Sequence, residues 1–245
     1  MKLLRVRCEL ATPAIVDAGP VHLDGILWAA SAEHREAFRV EVPRLPVWSV
    51  TLFGETVALA SALLPGHYRH QQVSLVKRRD GIDVQHLGGR LHRGLGPGKD
   101  KLRYALAIDG TLEWVVVAGR RRPVLKMLRR VLALGRDLRS GHGRVREWDV
   151  LEDPEEDLAS VLVSPDSVSR RNLPPRWCSS SSAVSRGALR PPYWNQHVDI
   201  VPAGAVVRLD PAVLYEVRKG VEIAPRPRPA DIRRALRDAP IQTED

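Results

Sequence analysis

The chain has 245 residues, 44% of them hydrophobic, so it can bury a real core and is not disordered throughout. Lys and Arg outnumber Asp and Glu 38 to 29, giving a formal charge of +9 and a pI near 10.1. That balance points to a polyanionic partner, nucleic acid or an acidic membrane surface, although a high-GC genome would also enrich arginine. No apolar run reaches the roughly 18 residues that span a bilayer, and the opening MKLLRVRCEL is too short and too charged for a signal peptide, so no membrane role is expected and a cytoplasmic location is. Cys8 and Cys178 lie too far apart in sequence to suggest a metal-ligand spacing or a disulfide framework.

Residues 2–10 alternate, with Leu4, Val6, Cys8 and Leu10 on one side and Arg5, Arg7 and Glu9 on the other, which predicts a half-buried strand. After a Pro/Gly-broken stretch, Leu23, Ile26, Leu27 and Ala30 fall at helical spacing and predict a helix over 23–34. VWSVTLF reads as a strand. ETVALASALL fits either a strand or a buried helix, and QQVSLVKRR reads as a strand again. The basic, glycine-rich run from 81 to 103 is too long for a simple connection.

YALAI and LEWVVVAG read as two strands of a hairpin turning at Asp109-Gly110. Pro123 suits the first turn of a helix, and Val124, Leu128, Val131, Leu132 and Leu138 make an apolar stripe over 122–138. A strand over 144–151 follows. The order strand, helix, strand, strand, helix, strand is that of a split βαβ unit. The expected fold is therefore α+β, a ferredoxin-like (RAMP/RRM-like) domain over 1–163 with a large basic insertion at about 65–101. A Pro-rich, partly irregular C-terminal extension then covers 164–245, read as an ordered arm or a mobile segment with late strands at HVDIV and AVVRLD. EDPEED at 152–157 reads as a solvated acidic turn.

The stretch LGRDLRSGHGRV, 134–145, admits two readings. In one it ends a helix, with Gly135 or Gly141 as the left-handed cap and arginines complementing the dipole. In the other, Gly141 and Gly143 bare backbone amides around His142 as an anion nest, and Arg136, Arg139, Arg144 and Arg146 supply charge. The preceding helix adds Arg120, Arg121, Arg122, Lys126, Arg129 and Arg130, which would equally suit a solvated face.

A helix closing into this basic glycine loop before a final strand resembles the RAMP superfamily of CRISPR-associated proteins. VHLDGILWAA, GRLHRGLGPGKDKLRYAL, LEWVVVAG with the helix VLKMLRRVLAL, and PPYW at 191–194 are together similar to the subunit that caps the crRNA 5′ handle in type IV CRISPR effector complexes. The resemblance covers roughly residues 1–195. It implies a non-catalytic RNA-binding subunit that contacts crRNA and the backbone and large subunits, with target DNA near the protospacer-adjacent motif as a further partner. The implied RNA contacts are Arg136, Arg139, Gly141, His142, Gly143 and Arg144 in the loop. Lys126 and Arg130 join them from the helix, and Arg90, Arg93, Lys99 and Lys101 from the insertion. Bases would stack on Tyr68, Trp177, Tyr193 or Trp194, whereas Trp114 and Trp148 fall in strands and read as core. Some members of the superfamily cut RNA without metal, and His34, His92 and His142 are the histidines weighed for such a role. No catalytic set, metal site or cofactor fingerprint is legible in the sequence. The alternatives are a metal-independent endoribonuclease processing precursor crRNA and a general RNA-binding protein.

Overall fold

A computed structural model describes residues 1–16, 19–32, 45–66, 68–77, 101–136, 141–153, 157–191 and 198–219. It is a mixed α+β protein built on antiparallel strands. β1 (Lys2–Leu10) is the strand its alternation predicts: Leu4, Val6 and Cys8 are fully buried, while Arg5 and Arg7 point to the other face. It pairs antiparallel with β6 (Lys101–Ala118) on one side and β7 (Val145–Glu152) on the other, so that Val6 faces both Trp114 and Val150. β2 (Ala14–Val16) continues along the same edge of β6 beyond a break at 11–13. β5 (Tyr68–Lys77) takes the opposite edge, placing Ile108 between Ala14 and His70. The strands therefore run β7–β1–β6–β5 across the sheet.

This arrangement corrects the hairpin expected at Asp109-Gly110. Both residues lie inside one long strand, β6, and only a local distortion remains there, with Gly110 at φ +112. The first half of β6 finds its partner in β5 and the second half in β1, and two long-range ladders outweigh one two-residue turn signal. The outer part of the expected insertion is likewise strand: Tyr68–Lys77 belong to the sheet and Lys101 opens β6, while 78–100 lie outside the described residues.

Two helices cover one face. α1 (Leu23–Ala32) buries Leu23, Leu27 and Ala30; the last two residues of the expected helix lie outside the described residues. α2 (Arg121–Leu128) buries Val124 and Leu128 beside Trp114, Val116 and Val150. The expected helix over 122–138 is thus too long. Past Leu128 the chain unwinds and 131–136 runs back against 141–145, with Leu134 N–H donating to Gly143 O at 2.8 Å and Val145 N–H to Leu132 O at 2.9 Å. Leu132, placed on the apolar stripe by its spacing, is 76% exposed.

The other face of the sheet is divided. Its lower part, Leu3, Val115 and Val117, carries a second core shared with the hairpin of β3 (Ser49–Leu52) and β4 (Glu55–Ala58). The C-terminal chain completes that core: a 3₁₀ turn at Leu158–Val161, Trp177, the pairs β8 (Cys178–Ser181) with β11 (Val207–Leu209) and β9 (Ser185–Gly187) with β10 (Val198–Ile200), and α3 (Pro211–Lys219). The described part of the Pro-rich arm is therefore ordered and packed. Trp177, a stacking candidate by sequence, is fully buried, its Nε1–H donating to Leu52 O at 3.4 Å, and is corrected to core. The upper part of this face holds charges tied to one another, Arg5 to Asp153 at 2.8 Å and Arg7 to Glu113 at 2.7 Å.

Candidate nucleic-acid interface

The glycine loop is docked backbone to backbone on the break between β1 and β2. Gly143 N–H donates to Pro13 O and Arg136 N–H to Ile15 O, both at 2.8 Å, and Ala11 N–H returns a bond to Arg144 O at 2.7 Å. Thr12 stitches the same contact, its hydroxyl donating to Gly141 O at 2.8 Å and accepting from Arg144 N–H at 2.9 Å. Gly135 permits this approach, and Gly143 the close pairing of the hairpin's own two arms. A Cβ on Gly135 (φ +88) would sit 2.2 Å from Ile15 O, and one on Gly143 (φ +68) 1.8 Å from Leu134 O. Gly141 (φ +83) has open space around its Cα.

The anion nest is narrowed: the amides of Gly143 and Arg144 already donate to Pro13 O and the Thr12 hydroxyl. Formal charge at this loop comes from its side chains. Arg136 and Arg144 are exposed, Arg146 is paired with Glu9, and Arg139 lies outside the described residues. His142 is half-buried beside them.

α2 and its flanks carry the greater charge. Arg120, Arg121, Arg122, Lys126, Arg129 and Arg130 are all exposed. Arg121 reaches Asp149 at 3.3 Å. Among the described residues no carboxylate comes within ion-pairing reach of Arg120, Arg122, Lys126, Arg129, Arg130 or Arg144. Elsewhere Arg5, Arg7, Arg171, Arg176 and Arg218 each meet an acid, whereas the exposed Arg69, Arg190 and Arg208 stand singly without one among the described residues. The helix has no acidic residue in its first turn, where Arg121 and Arg122 oppose the dipole, and Arg122 and Lys126 repel at i, i+4. Each such placement costs a few tenths of a kcal/mol, a cost that a bound polyanion would reverse.

Beside α2 runs an open groove of about 1010 Å³, walled by 45–49 on one side and the helix on the other. Arg120, Lys126 and Arg130 line it together with Trp48, Pro123 and Met127. Trp48 is held by its backbone between two strands, donating to Val117 O at 2.9 Å and accepting from Leu59 N–H at 2.7 Å. Sequence reasoning placed Lys126 and Arg130 but missed Trp48, since a tryptophan in a strand-like run carries no sign of the helix it will face. A smaller hollow of about 240 Å³, between Arg129, Leu132, Arg146 and Trp148, lies between the end of α2 and the start of β7.

Other expected residues stand apart. Tyr68 begins β5, half-buried, with its ring 5.2 Å from that of His70 and edge-on; burial raises its phenol above the usual value. Lys101 opens β6 opposite Lys77. Arg90, Arg93, Lys99, Tyr193, Trp194, His34 and His92 lie outside the described residues. A histidine that drew no attention in the sequence, His22, is buried at the entry to α1. Burial first, and the nearby Arg171 second, push its pKa down to about 3 against an opposing interaction with the Asn172 side chain, so it is neutral near pH 7. Trp114 and Trp148 are buried, as their strands predict, with ring centroids 5.9 Å apart.

Among the described residues no three His, Cys, Asp or Glu side chains gather as metal ligands, and no helix is long and apolar enough to cross a membrane. No family model and no curated protein matches the chain.

Proposed function

We propose that the protein is a non-catalytic RNA-binding subunit of a cytoplasmic type IV CRISPR effector complex, gripping the 5′ handle of crRNA and contacting the backbone and large subunits and target DNA near the protospacer-adjacent motif. The observation that carries the RNA reading is the clustering of exposed cations that have no acidic partner among the described residues on α2, at its flanks and at Arg144. Guanidinium and ammonium groups so placed match a phosphate chain, and no base-specific geometry is required. Support for a ferredoxin-like reading comes from the strand order β7–β1–β6–β5 with α1 and α2 on one face, the fourth-first-third-second order of a split βαβ unit. The strands of an RRM present stacking aromatics on the open face. Here that face carries Arg5, Arg7 and Glu113 in ion pairs, so the reading puts RNA along α2 and the glycine hairpin instead. In such a complex guide pairing supplies sequence specificity and the protein reads backbone and shape.

The test measures binding of a short single-stranded RNA over a range of salt. Changing Arg129, Arg130 and Arg144 together to Ala should weaken binding and shrink the salt slope by about 2, at roughly 0.7 per lost phosphate contact. Unchanged affinity and slope would overturn the interface. Co-expression with the neighbouring effector genes and a CRISPR array should yield a complex whose crRNA 5′ handle resists nuclease. A discrete product from repeat RNA in EDTA would favour the endoribonuclease instead.

A further inference from the structure

We infer that the groove between 45–49 and α2 is a nucleotide site in which Trp48 stacks an unpaired base while Arg120, Lys126 and Arg130 hold the phosphates beside it. The inference rests on the RNA-binding reading of α2 and adds to it the nature of the ligand: a single strand with at least one base turned into the protein.

Three features of the groove define that ligand. Its cations have no acidic partner among the described residues, so the ligand is an anion. Lys126 lies in the last turn of α2 and Arg130 just past its end, two cations along one wall of the groove, which suits successive charges along a chain better than a lone ion. Apart from Ser49 and Gly119 the remaining lining is apolar, Trp48, Pro123 and Met127 among it, and gives a base something to rest on that a bare phosphate does not need. A planar ring on a polyanionic chain satisfies all three. A base paired in a duplex would keep its ring inside the stack, so the groove selects single strands.

Trp48 is built for a fixed position. Its backbone is bonded on both sides, to Val117 and Leu59. Its indole is half-buried against the second core, and Gly119 lies next to it, where a Cβ would come 3.8 Å from Nε1. An indole already ordered loses little freedom on stacking. One such stack by alanine substitution is worth on the order of a tenfold change in affinity.

The experiment compares a short single-stranded RNA with an abasic oligomer of equal length and charge. Trp48→Leu keeps apolar bulk but removes most of the stacking surface; Trp48→Phe restores a ring. Trp48→Leu should bind the RNA about tenfold more weakly with an unchanged salt slope, bind the abasic oligomer like the parent, and be largely rescued in Trp48→Phe. RNA carrying 4-thiouridine should cross-link to the peptide holding 45–49 in the unaltered chain, which keeps the proposal open to refutation if the Leu variant fails to fold. Lys126→Ala with Arg130→Ala should weaken both ligands and lower the slope. If that double variant is impaired while Trp48→Leu binds RNA normally and no cross-link forms at 45–49, the base site is wrong and the RNA reading stands. If neither variant changes binding, the RNA reading falls with it. Displacement of the RNA by a poly-glutamate peptide of equal charge at equal affinity would also overturn the base site.

Discussion

The Arg171 guanidinium lies 3.6 Å from the Asp24 carboxylate, and both side chains are wholly buried. The same guanidinium donates to the carbonyls of Ala58, of Ala60 at 2.8 Å and of Leu189 at 2.8 Å. One arginine thus joins the first turn of α1, the strand-like run after β4 and the C-terminal chain. Removing one member leaves an uncompensated buried charge, which costs about 3–5 kcal/mol. Asp24→Leu and Arg171→Met should each lower the urea midpoint by that equivalent. The double change should cost clearly less than the sum, and additive losses would show that the two charges are not coupled.

Acid should weaken the fold through His22. Its folded pKa, about 3, is depressed below the ordinary 6.5, so between those values the unfolded chain holds a proton that the folded one lacks. The stability it confers is complete above about pH 6.5 and is lost as pH falls toward 3, a change on the order of 5 kcal/mol. Unfolding free energies of the parent and of His22→Asn should diverge in slope over that window. Parallel curves would exclude His22 as the titrating group.

The three glycines of the loop should separate into two kinds. Gly143→Ala and Gly135→Ala force a Cβ into backbone oxygen as well as an unfavourable φ, and each should cost more than about 2 kcal/mol. Gly141→Ala meets no atom and should cost about 1 kcal/mol, from φ alone. Thermal melts of the three variants decide it; equal losses would contradict the close approach of Gly135 to Ile15 and of Gly143 to Leu134.

Both thiols should be inert in the folded protein. Burial, with Glu9 adding to it, raises Cys8 to about 12, and burial raises Cys178 to about 11. At pH 8 a disulfide reagent should label neither quickly, and Cys178, the less buried, should react first. Both should react at once in guanidinium. Rapid labelling of Cys8 under native conditions would mean that β1 opens readily.

What the sequence disclosed followed from burial on one face only. β1 was legible because Leu4, Val6 and Cys8 are sealed under the helices while Arg5 and Arg7 are not. β6 was misread because its two halves pair with different strands, a choice no local window contains, and Asp109-Gly110 supplies a turn signal that the ladders override. α2 was legible through Leu128; beyond it, apolar residues at helical spacing are recruited by strand-like pairing with 141–145. Of the second core, the strands expected at VWSVTLF, HVDIV and AVVRLD are present as β3, β10 and β11, whereas β8 and β9, only four and three residues long, carried no signal. Of the interface, charge could be read directly. That Trp48 and Lys126 line one groove could not, since tertiary structure alone brings them there.

The bonds from Arg171 to Leu189 and from Asn172 to Ala188, with Val213 and Val217 in the second core, bear on the chain's own biosynthesis. While the ribosome has yet to release residues near 217, the sheet around Val115 and Val117 lacks its cover and a charged guanidinium has no finished seat. Assembly of the amino-terminal strands is therefore provisional until the residues near 217 have been made, and a product stopped before them would present a sticky surface to chaperones and proteases.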